Sequence, residues 1–172
     1  MKKTRRLDNQ GLSLVEMIIV VAIIAVVTGV FSMGYSLIST KQVDQCARKI
    51  QIALESSRTT TMGKLSADLS FYTWDGKIVV NKNIYNSAGI DTTVVELGGK
   101  DIKVQYVVTD GAASTTYDLS SSALVVEFDR ASGSLKALPT GRFLSEFIVS
   151  NTSGTKTLHV KIDKLTGRVT VD

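Results

Sequence analysis

Glu16 is the one ionisable residue within an apolar run that extends from Leu12 to Phe31. Burying an unpaired carboxylate among apolar groups is costly, so Glu16 requires a cationic or hydrogen-bonding partner. The run is 20 residues long, about the length that a helix needs to span the hydrocarbon core of a bilayer.

A short basic segment, residues 1–11, precedes the apolar run. It contains four basic residues and one acid, and so contributes +3 to the chain's net charge of +4. These residues are Lys2, Lys3, Arg5, Arg6 and Asp8. The pI of 9.2 therefore reflects this segment and gives no support for nucleic-acid binding. Basic residues beside an apolar segment stay cytoplasmic, which predicts that the C-terminal part is exported.

The sequence Gly11-Leu12-Ser13-Leu14-Val15-Glu16, followed by nine apolar residues, resembles the processing site and N-terminal helix of type IV pilins and pseudopilins. The resemblance implies that a prepilin peptidase cleaves after Gly11 and methylates the new N-terminus at Leu12. It also implies that Glu16, the fifth mature residue, pairs with a charge on a neighbouring subunit during assembly. Residues 1–11 would then be the leader.

Two departures and two other interpretations accompany this resemblance. Leu12 stands where the family most often has phenylalanine, and the family's frequent helix-kinking proline is missing, since Pro139 is the only proline. A cleaved signal peptide ending at Gly34 is one alternative, but it leaves Glu16 inside the apolar region. A plain signal anchor is the other, and it explains the length of the run but neither Gly11 nor Glu16.

The helix is predicted to continue from a transmembrane and assembly segment, residues 12–34, into an amphipathic half, residues 35–62. Apolar residues in this second half recur at spacings of three and four, as on one face of a helix. They are Val43, Cys46, Ala47, Ile50, Ala53 and Leu54. The polar face is predicted to carry Lys41, Asp44, Arg48, Lys49, Gln51, Glu55 and Arg58. Gly63 predicts an end near Met62, giving a helix of roughly 75 Å.

Residues 63–172 are predicted to form a β-rich head. Short apolar and β-branched runs separated by turn pairs such as Asp75-Gly76 are typical of antiparallel hairpins. Strands are predicted at 65–74, 77–80, 93–97, 102–109, 123–129, 134–138, 143–150, 157–163 and 168–171. Two polar stretches, 81–92 and 112–122, are predicted to be surface loops. The predicted fold class is α+β, with a long N-terminal helix packed on a C-terminal antiparallel head.

Two stretches of the head, 128–135 and 162–169, share one pattern: apolar, Asp, basic, any residue, Ser or Thr, Gly, any residue, apolar. Asp129 and Asp163 are expected to accept backbone hydrogen bonds, and the glycines to provide a positive φ before the return strand. The first turn and the Thr-Gly-Arg-Val sequence near the C-terminus resemble the head of GspH/FimT-type minor pseudopilins and minor pilins. This second resemblance implies a minor subunit.

No catalytic, metal or cofactor site is predicted. His159 is the only histidine, and strand alternation places it outward, so it does not build a zinc site or a Ser-His-Asp triad. Cys46, the only cysteine, is predicted to be a buried core residue in preference to an intersubunit disulfide. Trp74 is predicted to pack at the end of a hairpin in preference to being an exposed contact residue.

The resemblance implies a non-enzymatic structural subunit of a type IV pilus, a type II secretion filament or a competence-type filament. The implied partners are other pilin or pseudopilin subunits, a prepilin peptidase, an inner-membrane assembly platform and, before assembly, membrane lipid. The implied location is a single pass through the cytoplasmic membrane with an exported head, and later a surface or envelope filament. The alternative is a signal-anchored extracellular β domain that binds a surface without assembling.

Overall fold

The structure of the chain is a computed structural model that describes residues 13–63, 65–111 and 113–172, and for residues 30–38 the backbone alone. Helix α1 spans Leu14–Met62. The amide of Gly63 donates to the carbonyl of Thr59 at 3.0 Å, so the helix ends where the sequence predicts. Leu14 is the first helical residue described, and Leu12, the predicted start, lies outside the described residues.

The chain divides into two compact units, one ending at Ile38 and the other comprising Ser39–Asp172. The described part of the first unit is almost entirely helix, and the side chains of residues 13–29 are exposed. No helix in the described part of the chain combines the length and apolarity needed to cross a membrane.

The second unit contains the rest of α1 and the nine strands of the described residues. The strands are β1 Ser66–Trp74, β2 Lys77–Asn86, β3 Gly89–Gly98, β4 Ile102–Asp110, β5 Ala113–Asp118, β6 Leu124–Glu127, β7 Phe143–Asn151, β8 Thr157–Ile162 and β9 Val169–Val171. They form two antiparallel sheets with the strand orders β3-β2-β1-β6 and β5-β4-β7-β8-β9. The predicted α+β class, a helix packed on an antiparallel β domain, is confirmed.

Both sheets and the amphipathic half of α1 share one hydrophobic core. The predicted helical stripe is buried: five of its residues are fully inaccessible, and Ala53 is partly buried. Phe71 on β1 and Phe147 on β7 meet inside the core with ring centroids 4.9 Å apart. This contact joins the two sheets, because each ring belongs to a different one.

Both predicted loops are wrong. Strand β2 continues to Asn86 and β3 begins at Gly89, so residues 81–92 are mostly a hairpin; β5 occupies residues 113–118. Strands β3 and β5 are sheet edges with largely exposed side chains, which accommodates the Thr, Ser and Asp residues that they contain, whereas the asparagines of residues 81–86 belong to β2. The polar residues of these stretches therefore reflect solvent exposure, and exposed strands have a composition similar to that of loops.

Two smaller predictions about the head are also wrong. Residues 134–138 do not form a strand, and only an isolated bridge pairs Leu135 with Phe128. Trp74 does not pack at its hairpin end but is 71% exposed. The turn that follows it is the predicted one: Asp75 and Gly76 both have positive φ, 49° and 69°, as a type I′ hairpin turn requires.

Candidate functional site

Of the three residues predicted to act in processing and assembly, the structure describes one. Gly11 and Leu12 lie outside the described residues, whereas Glu16 lies in the first turn of α1. The Glu16 side chain bends back toward the helix start, where its Oε2 accepts a hydrogen bond from the amide of Ser13 at 2.9 Å. In return, the Ser13 Oγ accepts from the amide of Glu16 at 3.3 Å.

This reciprocal pair is a capping box, which satisfies two of the amides that a helix start leaves without partners. It also places a carboxylate where the helix dipole favours negative charge. Sequence reasoning missed Ser13, although the Ser-x-x-Glu spacing ahead of an apolar run was a readable signal. Among the described residues only Oε2 of Glu16 is engaged, so the carboxylate can accept a further donor through Oε1.

In the head, the two Asp-containing turns have the same hydrogen bonds. Asp129 Oδ1 accepts from the amides of Ala131 and Ser132 and from the Ser132 hydroxyl, at 3.1, 2.9 and 2.8 Å. The amide of Gly133 then donates to the Asp129 carbonyl at 2.9 Å, which closes the turn. Gly133 has φ 68°, so the expected left-handed glycine is present.

The second turn repeats this arrangement. Asp163 Oδ1 accepts from the amides of Leu165 and Thr166 and from the Thr166 hydroxyl, at 2.9, 2.8 and 3.0 Å. Gly167, with φ 65°, donates its amide to the Asp163 carbonyl at 2.7 Å. Hydrogen bonds to Ser132 and Thr166 lower the pKa of Asp129 and Asp163 respectively, because they stabilise the charged carboxylates.

The two turns lie against each other and against the end of α1. The amide of Leu135, just after the first turn, donates to the carbonyl of Lys164 in the second at 3.0 Å. Arg58 of α1 donates through Nε to the Gly133 carbonyl at 3.1 Å. Sequence reasoning placed Arg58 on the polar face of the helix, and no spacing signal indicated that it would reach residues 75 positions away.

A lysine on β2 makes a second polar link between helix and sheet. Lys82 Nζ donates to Ser56 Oγ at 2.8 Å and to Thr60 Oγ1 at 2.9 Å, and burial lowers its pKa. A serine beside such a lysine has the residue types of a Ser–Lys catalytic pair. However, Ser56 lies inside α1, whose amides are hydrogen-bonded along the helix and cannot form an oxyanion hole. The contact is structural.

The remaining reactive side chains have structural surroundings. His159 Nδ1 lies 3.1 Å from Glu146 Oε2 on the outer face of the second sheet, which confirms its outward position. Cys46 is fully buried, as predicted, and burial raises the pKa of its thiol to about 12. Across the described residues, no three His, Cys, Asp or Glu side chains are grouped to hold a metal ion.

A family model, the prokaryotic N-terminal methylation motif, matches residues 6–32. This is the prepilin-type motif of type IV pilins and pseudopilins, so the resemblance found in the sequence is confirmed. The motif supports a pilin-like or pseudopilin protein processed by a prepilin peptidase, in a family of structural subunits that assemble with one another. It also suggests a membrane-anchored precursor with an exported head. No curated protein and no solved structure matches the chain.

Proposed function

We propose that this chain is a minor pilin or pseudopilin that enters a filament of the type IV pilus, type II secretion or competence class through its N-terminal helix. The observation that carries the proposal is the methylation motif over residues 6–32, with Glu16 in the first turn of the helix. The resemblance of the first Asp turn and of the Thr-Gly-Arg-Val sequence near the C-terminus to GspH/FimT-type heads supports the minor class.

Processing supplies the partner that Glu16 needs. Cleavage between Gly11 and Leu12 frees the α-amino group of Leu12, which is protonated near neutral pH and would remain a base after methylation. In the filament, this ammonium pairs with Glu16 of a neighbouring subunit. Within an apolar bundle, loss of either charge leaves the other unpaired, so the pair sets the axial register of the subunits.

The capping box prepares Glu16 for this role. Its bond with Ser13 holds the carboxylate at the start of the helix, which is the end nearest the cleavage site. The apolar side chains of residues 17–27 are exposed in the chain and supply the packing surface of the bundle. Before assembly, this segment resides in the cytoplasmic membrane, with the basic leader on the cytoplasmic side and the head exported.

Four substitutions test the proposal in cells that express the full chain. Gly11→Val blocks cleavage, so the precursor keeps its leader by mass spectrometry. Glu16→Leu and Glu16→Gln are both cleaved but enter filaments poorly, and Gln retains an acceptor for the Ser13 cap. Ser13→Thr keeps the hydroxyl and is the matched control. If Glu16→Gln were incorporated as well as the parent chain, the charge-pairing role would be refuted.

The binding-module alternative has one specific observation in its favour. Trp74 is 71% exposed beside the β1–β2 turn, in a position suited to contact with a surface or polymer. The N-terminal residue of the mature protein distinguishes the two functions. Methylated Leu12 supports the filament subunit, whereas Met1 or Tyr35 supports an anchored or secreted binding domain.

A further inference from the structure

Strand β3 is the longest edge strand among the described residues. It closes one side of the β3-β2-β1-β6 sheet with ten residues, Gly89–Gly98, whereas β6, β5 and β9 have four, six and three. On the side toward β2 it is paired along its whole length, from Gly89 opposite Asn86 to Gly98 opposite Ile78. On the outer side of β3, one hydrogen bond to the backbone is present among the described residues: Lys49 Nζ donates to the Glu96 carbonyl at 2.8 Å.

Most of the devices that usually protect such an edge are missing from its central part, where Asp91 is the one charged side chain. Natural sheets protect exposed edges with proline, charged side chains (lysine above all), bulges or short strands. The sequence of β3 contains neither proline nor a basic residue, and its register shift lies at the far end, opposite Ile78 and Val79. Unpaired amides and carbonyls on an edge are satisfied by another extended strand, so residues 89–95 form a template for strand addition.

The side chains of this stretch are complementary to themselves. Ile90 and Val94 are 63% and 61% exposed and share one face of the strand, with Thr92 midway between them. If two β3 strands pair antiparallel about Thr92, Ile90 of one chain lies opposite Val94 of the other. A twofold contact requires this kind of match between a surface and its own copy.

The charges permit the same register. Pairing about Thr92 sets Asp91 opposite Thr93 of the second copy, so the acid does not face another acid. Glu96, the other acid of the strand, is already bound to Lys77 at 2.9 Å. We propose that β3 is an interface through which two copies of this chain pair edge to edge, joining their four-stranded sheets into one continuous antiparallel sheet.

Engineered cysteines test the register in the full chain in its native membrane. Cys46 is buried and does not compete for the oxidant. Thr92→Cys places two thiols opposite each other, so mild oxidation is expected to produce a dimer on a non-reducing gel. Thr93→Cys is the matched control, because its symmetry mates are displaced by two positions and lie about 8 Å apart, beyond disulfide reach.

A second experiment does not depend on the Thr92 variant. Chains carrying Asp91→Cys and chains carrying Thr93→Cys are expected to crosslink when expressed together, and neither when expressed alone. Adding Val94→Lys to Thr92→Cys should reduce the dimer at least fivefold. The crosslink should persist with Glu16→Gln, since the contact belongs to the head and not to filament assembly.

Several outcomes would overturn the interface. The first is a Thr92→Cys chain that stays monomeric when the mixture of Asp91→Cys and Thr93→Cys chains also fails to crosslink. The second is equal crosslinking of Thr92→Cys and Thr93→Cys. The third is that disulfides form only with a different protein. A dimer that disappears with Glu16→Gln would likewise refute a contact made by the heads themselves. Each result is read directly from the mass of the crosslinked species.

Discussion

Arg58 donates through Nε to the main-chain carbonyl of Gly133, 3.1 Å away, and a Cβ added at Gly167 would lie 3.1 Å from the same nitrogen. One side chain of the helix therefore bonds to the first Asp turn of the head and lies next to the second. The turns are separated by more than thirty residues in sequence and meet at the last helical turns. The end of α1 is thus fixed on the β domain by a charged hydrogen bond as well as by the apolar stripe.

Replacing Arg58 should weaken the head measurably. Arg58→Met keeps much of the aliphatic stem but removes the donor to Gly133, and we expect a loss of about 1–3 kcal/mol in the free energy of unfolding. Urea denaturation followed by circular dichroism measures it, because the chain's one tryptophan, Trp74, is already exposed in the folded state. Arg48→Met, at an exposed position of the same helix, is the control and should change stability by less than about 0.5 kcal/mol. Equal effects at the two positions would contradict the role given to Arg58.

Two glycines with nearly the same backbone conformation should respond differently to alanine. Gly167 and Gly154 have φ 65° and 70°, but a Cβ at Gly167 would collide with the Gly133 carbonyl, whereas nothing lies within 4 Å at Gly154. Gly154→Ala should cost about 1–2 kcal/mol from the left-handed conformation alone. Gly167→Ala should cost at least about 1 kcal/mol more, because the turns must separate. Similar unfolding midpoints for the two variants would show that the turns are not in close contact.

The two aspartates should make the head sensitive to acid. Their pKa values are lowered in the folded chain by hydrogen bonds within the turns. Their stabilising contribution is therefore complete above the unfolded pKa, about 3.9, and is lost as the pH falls below it through the folded pKa values. Asp163→Asn should lower stability at pH 7 and flatten its decline below pH ~4.

Unfolding in urea across this pH range checks the acid dependence. Asp101→Asn is a suitable control, since Asp101 is exposed and its carboxylate accepts no hydrogen bond among the described residues. If the free energy of unfolding declines at low pH in Asp163→Asn as it does in the parent chain, the turn carboxylate is not the source of that decline.

The Cys46 thiol should be inert in the native chain. Burial raises its pKa to about 12, although nearby Lys49 acts in the opposite direction, so little reactive thiolate forms at neutral pH. A maleimide reagent at pH 7.5 should label it only after unfolding in urea, with an increase in labelling of at least tenfold. Rapid native labelling, or a Cys46-linked dimer on a non-reducing gel, would contradict the buried position.

The sequence predicted the parts of the fold that depend on local periodicity and turn chemistry. The helical stripe from Val43 to Leu54, the stop after Met62 and the turn at Asp75-Gly76 each follow from spacing or from a residue with a special φ. The paired Asp turns were also recognised, because their hydrogen bonds are made within a few residues. These features need no information about distant neighbours.

The errors arose where long-range pairing decides the structure. Strand β5 and the first residues of β3 are polar edge segments that pair with β4 and β2, and their composition alone is typical of loops, whereas the strand predicted at 93–97 is part of β3. The exposure of Trp74 and the reach of Arg58 to Gly133 likewise depend on how distant segments meet. Ser13 is a different case, since its capping role was visible in the Ser-x-x-Glu spacing and was overlooked.

The shared core also dictates an order of events as the chain is made. The apolar stripe at residues 43–54 shares its core with Phe147, Val160 and Val169, which lie about a hundred residues further on. Such non-local contacts form slowly and leave apolar surface uncovered in the meantime. Until the last strands have been synthesised, the apolar stripe of the emerging chain is exposed and prone to aggregate, so the full burial of the helix waits for β9.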